Sequence, residues 1–466
     1  MNFFVETKSE SAVLLTPVTA STLEGWTKRQ DARTANWVSS SGFKAGVGKA
    51  LLISNDKGEL TRVLAGVGEP LGLWDLAGLP HKLPEASYCL DEETTKDWTT
   101  DQFNQACFAW ALGHYGDRRF KSDHPPAKLN QLVWPTKAQR TFVKAAVEGT
   151  CLARDLINAP TNKLGPAELA DAAKTLAKTY KADVKTIVGK DLLKANYPAI
   201  YVVGQAVDQK KRAPRLVDFS WGSAGPKITL VGKGVCFDTG GLNLKSAAGM
   251  STMKKDMGGA AQVLGLASMI MAMDLKVQLR VLIPTVENSV NGDAYRPQDI
   301  IDTRKGLTVE IGNTDAEGRL ILSDALTEGS SEKPDLIVDF ATLTGAARVA
   351  LGTDLPALFC NDDEVAGQLQ RLSEDVQDPL WRMPLHQPYK KNLSSPFADL
   401  NNISPGGYGG AITAALFLEH FVENDVPWIH IDLMAWNLKS TPGRPVGGEA
   451  MGVRALYALI SEKASM

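Results

Sequence analysis

The sequence predicts an α/β fold with a smaller amino-terminal domain and a larger carboxyl-terminal domain that contains a largely parallel sheet. The chain has 466 residues, a length typical of two or three domains. Hydrophobic residues make up 44% and charged residues 22%, a balance typical of globular chains. Beyond residue 158, segments of strand and helix type alternate at the spacing of βαβ units, which favours a parallel sheet flanked by helices.

The individual elements are predicted from the spacing of apolar residues. In the first part of the chain, strands are predicted over 12–16 and 49–54, and a helix over 100–115. In the second part, helices are predicted over 167–180, 258–273 and 320–328, and strands over 199–203, 228–231, 277–283 and 336–340. In such a sheet, ligands collect at the carboxyl ends of the strands.

The domain boundary is predicted from prolines. A seam between Ser122 and Pro135 carries His124-Pro125-Pro126, and prolines in this arrangement interrupt regular structure. Apolar residues then recur at helical spacing over 137–157, and the turn sequence NAPTN ends this helix. We therefore predict an amino-terminal α/β domain over 1–130, a linker helix over 131–157 and a larger domain over 158–466.

Charge and cysteine content exclude several classes of protein. The net charge of −3 argues against a protein that coats nucleic acid, so a nucleic-acid partner is not indicated. The five cysteines are widely spread and form no C-x-x-C pair, which fits a reducing compartment. The first ten residues lack an apolar signal core, and no run of eighteen apolar residues occurs. We expect a cytoplasmic protein without a membrane partner.

The first cluster of candidate functional residues lies in 231–261, VGKGVCFDTGGLNLKSAAGMSTMKKDMGGAA. An apolar strand runs into Lys233, which places this lysine at the carboxyl end of a strand. Asp238, Lys245 and Asp256 follow in glycine-rich sequence, the last just before a predicted helix. Charges of this kind, if buried, must be paired with one another or bound to metal.

The second cluster, NTDAEGR over 313–319, precedes the predicted helix 320–328. Asp315, Glu317 and Arg319 are two residues apart, so an extended backbone would point all three side chains to one face. Two carboxylates held together raise each other's pKa unless a cation lies between them. Arg319 is either that cation or a donor aimed at a ligand beyond.

Each cluster alone also has an ordinary explanation. An isolated D-x-E-x-R stretch is most often a solvated surface element, and a glycine-rich loop after a strand is most often a turn. The occurrence of both clusters together nevertheless favours a functional site. Both fall at predicted loops of one α/β domain, and together they supply four carboxylates. Oxygen-rich ligand sets suit hard divalent ions. The sequence contains neither an H-E-x-x-H zinc motif nor a G-x-S-x-G nucleophile elbow.

At these two clusters the chain resembles the leucine aminopeptidase (cytosol aminopeptidase) family of two-metal exopeptidases. The family signature Asn-Thr-Asp-Ala-Glu-Gly-Arg-Leu is matched at every position by 313–320, and the first cluster matches in order and spacing. Further similarity lies at 286–288, 296–297 and 341–346. The resemblance covers roughly residues 155 to 460 and implies a cytoplasmic metal-dependent aminopeptidase.

The resemblance implies a metal role for five side chains. The implied ligands are Lys233, Asp238, Asp256, Asp315 and Glu317. Asp238 and Glu317 would bridge two divalent ions, Lys233 and Asp256 would belong to the tighter site, and Asp315 to the weaker one. The ions would be Mn or Zn, with Mg or Co as alternatives. Lys233 would bind as a neutral amine, so its pKa must fall far below its usual value of about 10.4.

The resemblance also implies catalytic and substrate-binding residues. Lys245 would stabilise the developing oxyanion, and Arg319 would hold a bicarbonate ion that acts as general base. Uncharged, largely apolar amino-terminal residues such as leucine are expected in a pocket lined by Met253, Thr342 and Leu343, near which Met434 is bulkier than the family pattern predicts.

The family fold has a small amino-terminal α/β domain and a larger catalytic α/β domain with a mostly parallel or mixed central sheet flanked by helices, assembled as a homo-hexamer. Two other functions stay open at this point. A two-metal phosphoesterase would share the carboxylate-rich site but would usually add histidines and a phosphate clamp. A non-catalytic relative that binds nucleic acid or protein would be expected to lose a ligand or Lys245, and all seven positions are present.

Overall fold

The structure is a computed structural model that describes residues 3–122 and 129–465. The predicted seam residues His124, Pro125 and Pro126 lie outside the described residues. The chain divides into two compact units, Met1–Val147 with Lys439–Val446, and Glu148–Leu438 with Gly447–Met466. The domain limits predicted from the sequence stay a prediction.

The first unit is an α/β unit with one mixed sheet. Its elements are β1 (Phe4–Val5), β2 (Val13–Val18), α1 (Leu23–Lys28), α2 (Ala32–Ser40), β3 (Ala50–Ser54), β4 (Leu60–Gly66), β5 (Ser87–Leu90), α3 (Thr100–Gly113), β6 (Gln131–Val133) and the start of α4 (Arg140–Asn158). Within the described residues the sheet has six strands in the order β1-β6-β5-β2-β4-β3. All neighbouring pairs are parallel except β3 and β4.

Helix α3 confirms the helix predicted over 100–115. It begins with a capping box in which the Thr99 hydroxyl accepts from the Gln102 amide and the Gln102 side chain accepts from the Thr99 amide. The strands predicted over 12–16 and 49–54 are also confirmed, as β2 and β3.

The second unit alternates strands and helices more regularly. Its elements are α5 (Pro166–Thr179), β7 (Asp183–Val188), α6 (Asp191–Lys194), α7 (Pro198–Gly204), β8 (Arg215–Trp221), β9 (Lys227–Gly232), β10 (Gly234–Asp238), α8 (Ala247–Met250), a 3₁₀ helix (Met253–Met257), α9 (Gly258–Ala272), β11 (Gln278–Asn288), β12 (Ile300–Asp302), β13 (Thr308–Glu310), α10 (Glu317–Ser330), β14 (Leu336–Ala341), α11 (Gly345–Leu351), β15 (Ala357–Cys360), α12 (Asp363–Asp375), β16 (Trp381–Arg382), a second 3₁₀ helix (Gln387–Leu393), β17 (Leu400–Asn401), α13 (Gly410–Glu419), β18 (Trp428–Asp432), β19 (Trp436–Asn437), β20 (Gly447–Gly448) and α14 (Val453–Ser465).

The main sheet of the second unit is mixed, with a parallel centre. In the part of the chain that is described, eight of its strands follow the order β16-β15-β18-β14-β9-β11-β8-β7, and β10 pairs with β11. Strands β18, β14, β9 and β11 are parallel, and so are β10 and β11. Their carboxyl ends therefore meet at one edge, where a ligand site is expected.

Two helices beside the functional edge, α9 and α10, are buried on every face. Helix α9 contains small and apolar residues on every face, and its residues from Gly258 to Met271 are all buried. A helix of this composition belongs in the interior of a large domain. Glycine permits its close packing, because a Cβ on Gly259 would lie 2.0 Å from the Phe340 carbonyl oxygen of β14.

One predicted strand is wrong. Residues 199–203, which read as a strand because they are β-branched and aromatic, form helix α7 instead. Pro198 occupies the first turn, where its missing N–H costs nothing. The buried carboxylate of Asp324 accepts from the next two amides, of Ala199 (2.9 Å) and Ile200 (3.1 Å), and so caps the helix from another element. A partner distant in sequence thus overrides local propensity.

No helix in residues 3–122 and 129–465 is both long and apolar enough to cross a membrane. All five cysteines are free thiols.

Candidate metal centre

The two clusters found in the sequence come together at the carboxyl edge of the parallel strands. Lys233 follows β9, and Asp238 is the last residue of β10. Asp256 lies on the first 3₁₀ helix, and Glu317 is the first residue of α10. Asp315 lies in the turn just before α10. The backbone alone therefore places all five predicted ligands at one edge of the sheet.

Lys233 lies between two carboxylates. Its Nζ is 2.8 Å from Oδ2 of Asp256 and 2.9 Å from Oε1 of Glu317, and it donates to the carbonyl oxygen of Thr342 at 3.0 Å. All three charged side chains are almost completely buried. Burial disfavours the Lys233 ammonium, but the charges of Asp256 and Glu317 outweigh it and raise the Lys233 pKa.

Gly318 makes room for this lysine. A Cβ at Gly318 would lie 2.4 Å from Cε of Lys233 and 2.8 Å from its Nζ. These distances are far below van der Waals contact, so any larger residue would displace the lysine from its two carboxylates. The glycine inside the D-A-E-G-R motif is therefore required by the site.

Lys245 holds the other two carboxylates. Its Nζ is 2.8 Å from Oδ2 of Asp238 and also forms an ion pair with Oδ1 of Asp315. The second oxygen of Asp238 accepts from the amide of Gly240 (2.8 Å) and from the side chain of Asn288 (2.9 Å). Gly240 has a φ of +87°, a conformation that side chains disfavour. Asp238 is thus fixed from both sides.

Three of the carboxylates form a compact cluster. One oxygen each from Asp238, Asp315 and Glu317 lies within 4.8 Å of the others. Burial raises the pKa of Asp238 to about 6, with a further contribution from the charge of Asp256. Burial and the charge of Asp238 raise the pKa of Glu317 well above its usual value. Such a cluster needs cations between its members.

The donor set fits divalent metal ions. Several buried oxygens have no hydrogen-bond partner, although three of them lie at ion-pair distance from a lysine amine. These are Asp256 Oδ2, Asp315 Oδ1 and both carboxylate oxygens of Glu317. Buried polar atoms almost always have partners. Oxygens of this kind, beside the Lys233 amine, are the ligands that a pair of divalent ions would take up.

Arg319 differs from its sequence prediction in one respect. The argument that Asp315, Glu317 and Arg319 share an extended face is wrong, because α10 begins at Glu317 and the next residues are helical. Arg319 is buried, and its Nη1 donates to the Asn402 carbonyl oxygen at 2.5 Å. No carboxylate within residues 3–122 and 129–465 forms an ion pair with it, so the simple pairing with Glu317 or Asp315 is also absent.

One donor of Arg319 is left over. Its Nε is buried and has no hydrogen-bond partner, and its guanidinium carbon lies 5.9 Å from the ring centre of Phe417. Burial lowers the pKa of Arg319 to about 10, although the charges of Glu317 and Asp432 favour its charged form. The guanidinium is therefore held in place by Asn402, and its Nε–H group remains able to donate to a ligand.

The predicted pocket residues lie beside Asp256. Met253 is buried on the same 3₁₀ helix, and the Thr342 hydroxyl donates to Oδ1 of Asp256 at 2.7 Å. The amide of Leu343 donates to Oδ1 of Asp432 at 3.0 Å. Thr342 therefore contacts Asp256 directly, Met253 lies on the same 3₁₀ helix as Asp256, and Leu343 is the residue after Thr342.

Sequence reasoning assigned no role to three residues at this centre. Asn288 fixes Asp238, Asn402 binds Arg319, and Asp432 organises the turn after Thr342. Asn288 ends β11, which extends five residues beyond the end of the predicted strand. Following that apolar strand to its end would have identified this residue.

Comparison with known proteins agrees with this geometry. Residues 151–457, well over half of the chain, match the model described as "Cytosol aminopeptidase family, catalytic domain". Residues 13–135 match "M17 aminopeptidase, N-terminal domain". The chain belongs to the cytosol aminopeptidase family. It is accordingly a two-domain α/β protein and a metal-dependent aminopeptidase that hydrolyses amino-terminal peptide bonds.

Individual relatives support the same assignment. A probable cytosol aminopeptidase of Synechococcus sp. (strain CC9311) is 40% identical over 369 residues, which cover 76% of this chain and 74% of the relative. The crystal structure of the cytosol aminopeptidase from Coxiella burnetii has a TM-score of 0.94 and 47% identity, covering 99% of both chains. The bottromycin maturation enzyme BotP in complex with Mn has a TM-score of 0.87 and 31% identity, covering 97% of this chain and 100% of that one.

Membership of this family distinguishes between the three functions that the sequence analysis left open. An aminopeptidase is supported, and neither a phosphoesterase nor a non-catalytic relative is.

Proposed function

We propose that Lys233, Asp238, Asp256, Asp315 and Glu317 hold two divalent metal ions that serve peptide hydrolysis. The observation that carries this proposal is the set of buried carboxylate oxygens without hydrogen-bond partners. Asp238 and Glu317 would bridge the ions, Lys233 and Asp256 would belong to the tighter site, and Asp315 would belong to the weaker one. Manganese or zinc is favoured, with magnesium or cobalt as alternatives, and a Mn complex of the relative BotP supports manganese.

Each side chain outside the ligand set then has a defined task. When bound, two such ions lower the pKa of a shared water towards neutrality and polarise the scissile carbonyl. Lys245, held between Asp238 and Asp315 and only partly exposed, donates to the oxyanion that develops on the substrate. Arg319 uses its spare Nε to orient a planar anion, for which bicarbonate is our candidate. Arg319 would in this way hold a proton acceptor close to the attacking water.

The pocket formed by Met253, Thr342 and Leu343 receives the first side chain of the peptide. Two of these residues are apolar, so leucyl peptides are the first substrates to test. We also propose a homo-hexamer located in the cytoplasm, by resemblance to the family.

Metal reconstitution tests the function. The protein is stripped of metal and refilled with Zn²⁺, Mn²⁺, Mg²⁺ or Co²⁺, and each form is assayed on a panel of aminoacyl-amides. We expect two ions per chain at saturation and hydrolysis of leucyl-amide only in refilled forms. The Lys245→Met variant should bind both ions and yet hydrolyse poorly. One ion or none at saturating Mn²⁺ and Zn²⁺ would refute the proposed centre.

A further inference from the structure

An asparagine from a distant part of the chain holds the turn over 312–316, which precedes α10. The side chain of Asn402 is fully buried. Its Oδ1 accepts from the backbone amides of Gly312 (2.7 Å) and Asn313 (3.2 Å). Its Nδ2 donates to the carbonyl oxygen of Asn313 at 2.8 Å and makes a longer contact, 3.4 Å, with that of Ala316. Both polar atoms of this side chain are therefore engaged by the backbone of the turn.

A side-chain amide is the group that this backbone requires. The N–H and C=O groups of Asn313 need an acceptor and a donor from one side chain, and a carboxylate has no donor. The approach is also close. A Cβ on Gly312 would lie 2.4 Å from Oδ1 of Asn401 and 2.6 Å from Cγ1 of Ile403. The turn thus packs directly on the segment that carries Asn402.

This turn presents Asp315, the proposed ligand of the weaker site. The side chain of Asn313 accepts from the Asp315 amide at 2.8 Å, and the Asn313 carbonyl oxygen accepts from the Ala316 amide at 3.2 Å. Oδ1 of Asp315 then forms the ion pair with Lys245. The position of Asp315 therefore depends on Asn313, whose backbone Asn402 holds through both its N–H and its C=O group.

The main chain of Asn402 holds a second group of the site. Its carbonyl oxygen accepts from Nη1 of Arg319 at 2.5 Å, and within residues 3–122 and 129–465 this guanidinium makes no other hydrogen bond. The amide of Asn402 donates to the Glu310 carbonyl oxygen at 3.0 Å, which continues the pairing of β13 with β17. One residue, anchored at the end of a strand, thus contacts both the turn before α10 and the arginine in its first turn.

We propose that Asn402 is a positioning residue for peptide hydrolysis, which places Asp315 through its side chain and Arg319 through its carbonyl oxygen. The inference rests on the roles proposed above for Asp315 in the weaker metal site and for Arg319 as the holder of an anion. Because one residue contacts both, its loss displaces both. Affinity of the weaker site and turnover should therefore fall in the same variant, whereas the tighter site, which lacks Asp315, should not change.

The test titrates metal-free protein with Mn²⁺ in a calorimeter and measures kcat and KM on leucyl-amide at saturating Mn²⁺. In Asn402→Ala we expect the second ion to bind about tenfold more weakly or worse, the usual range for loss of a contact that orients a ligand. The first ion should bind as in the wild type. We also expect kcat to fall about tenfold or more with KM nearly unchanged, because Arg319 is no longer fixed relative to the turn.

Asn402→Asp is the second variant. It keeps the size of the side chain and the acceptor contacts, but it places an oxygen against the Asn313 carbonyl oxygen where the amide donates. It should show the same losses to a smaller degree. Urea unfolding establishes that each variant is folded at the assay temperature, and if Asn402→Ala is not, Asn402→Asp decides.

Asn401→Ala is the matched control. Its Nδ2 donates to Oε2 of Glu310 at 3.3 Å and its Oδ1 accepts from the Ile403 amide at 3.1 Å. In the part of the chain that the structure describes, this side chain forms no hydrogen bond with the 312–316 turn, so metal affinity and kcat should stay at wild-type values.

Three outcomes separate this inference from the proposed function. Folded Asn402 variants that bind the second ion and turn over like Asn401→Ala overturn the inference, and so does an equal loss of affinity for both ions. If the wild type binds fewer than two ions, the proposed metal centre fails instead. The kcat of Asn402→Asp relative to Asn401→Ala then still decides whether Asn402 positions the site.

Discussion

At the scale of single residues, two of the proposed metal ligands, Asp238 and Lys233, depend on neighbours that position them without binding an ion themselves. Asp238 is fixed by the Gly240 amide and Asn288, and Lys233 reaches its carboxylates because Gly318 has no side chain. Supporting contacts of this kind set the orientation of ligands and commonly matter almost as much as the ligands do.

The two ends of the carboxylate cluster should respond differently to mutation. Asp315→Ala should mainly empty the weaker site, because our proposal assigns Asp315 to that site alone. Asp238→Ala should weaken both sites, because it removes a bridge. Metal analysis after dialysis against limiting Mn²⁺ measures the difference, with Asp171→Ala, an exposed acid on α5, as the control that keeps two ions. Equal small losses in both variants would contradict the assignment.

Arg319 should affect turnover without affecting metal content. Arg319→Ala should reduce kcat by about 10²-fold, in the range expected for loss of a general base, because the anion would lose its holder. Added bicarbonate should speed the wild type and leave the variant unchanged. Arg371→Ala, on the exposed face of α12, serves as control. If Arg319→Ala loses metal instead and bicarbonate has no effect on the wild type, the anion-holding role is wrong.

At the scale of elements, the sequence predicts strands and helices well where apolar spacing is long and regular. Helix α9 and strands β9 and β14 lie where they are predicted. Helix α7 could not be predicted in this way, because the Asp324 carboxylate that caps it lies more than 120 residues further along the chain. The orientation of Arg319 was missed because α10 begins three residues before its predicted start.

A buried pair joins the neighbouring strands β14 and β18. Nδ1 of His430 is 2.6 Å from Oδ1 of Asp339, and both side chains are fully buried. Trp428 donates to the other oxygen of Asp339 at 2.7 Å. Burial disfavours the imidazolium, but the charge of Asp339 outweighs it and raises the His430 pKa.

This pair should make stability depend on pH. A raised histidine pKa contributes stability that is fully present below the unfolded value of about 6.5 and is lost as pH rises through the higher folded value. Asp339→Asn removes the cause of the shift. We therefore expect the gap in urea midpoint between wild type and Asp339→Asn to be largest at pH 6 and to shrink towards pH 8 and above. A gap that stays constant or widens over this range would contradict the account.

At the scale of the whole molecule, composition and alternation predict the α/β class, and matched motifs predict the carboxylate cluster. The contact that holds Arg319 was not predicted, because Asn402, whose carbonyl oxygen accepts from its guanidinium, lies 83 positions further along the chain. Contacts between residues so far apart cannot be read from local motifs.

We expect a homo-hexamer in solution. Multi-angle light scattering should give six times the single-chain mass of 50.2 kDa. The measurement should be repeated at several protein concentrations, because a dissociating assembly would lose mass on dilution. A mass of 50.2 kDa at every concentration would refute the hexamer.

The meeting of ligands from distant parts of the chain has a consequence during synthesis. Lys233, Asp238 and Asp256 emerge from the ribosome well before Asp315 and Glu317, and β14, which flanks Lys233, comes later still. Contacts between such distant segments form late in folding. A nascent or partly unfolded chain therefore lacks a complete metal centre. The aminopeptidase cannot hydrolyse other newly made chains before its own fold is complete.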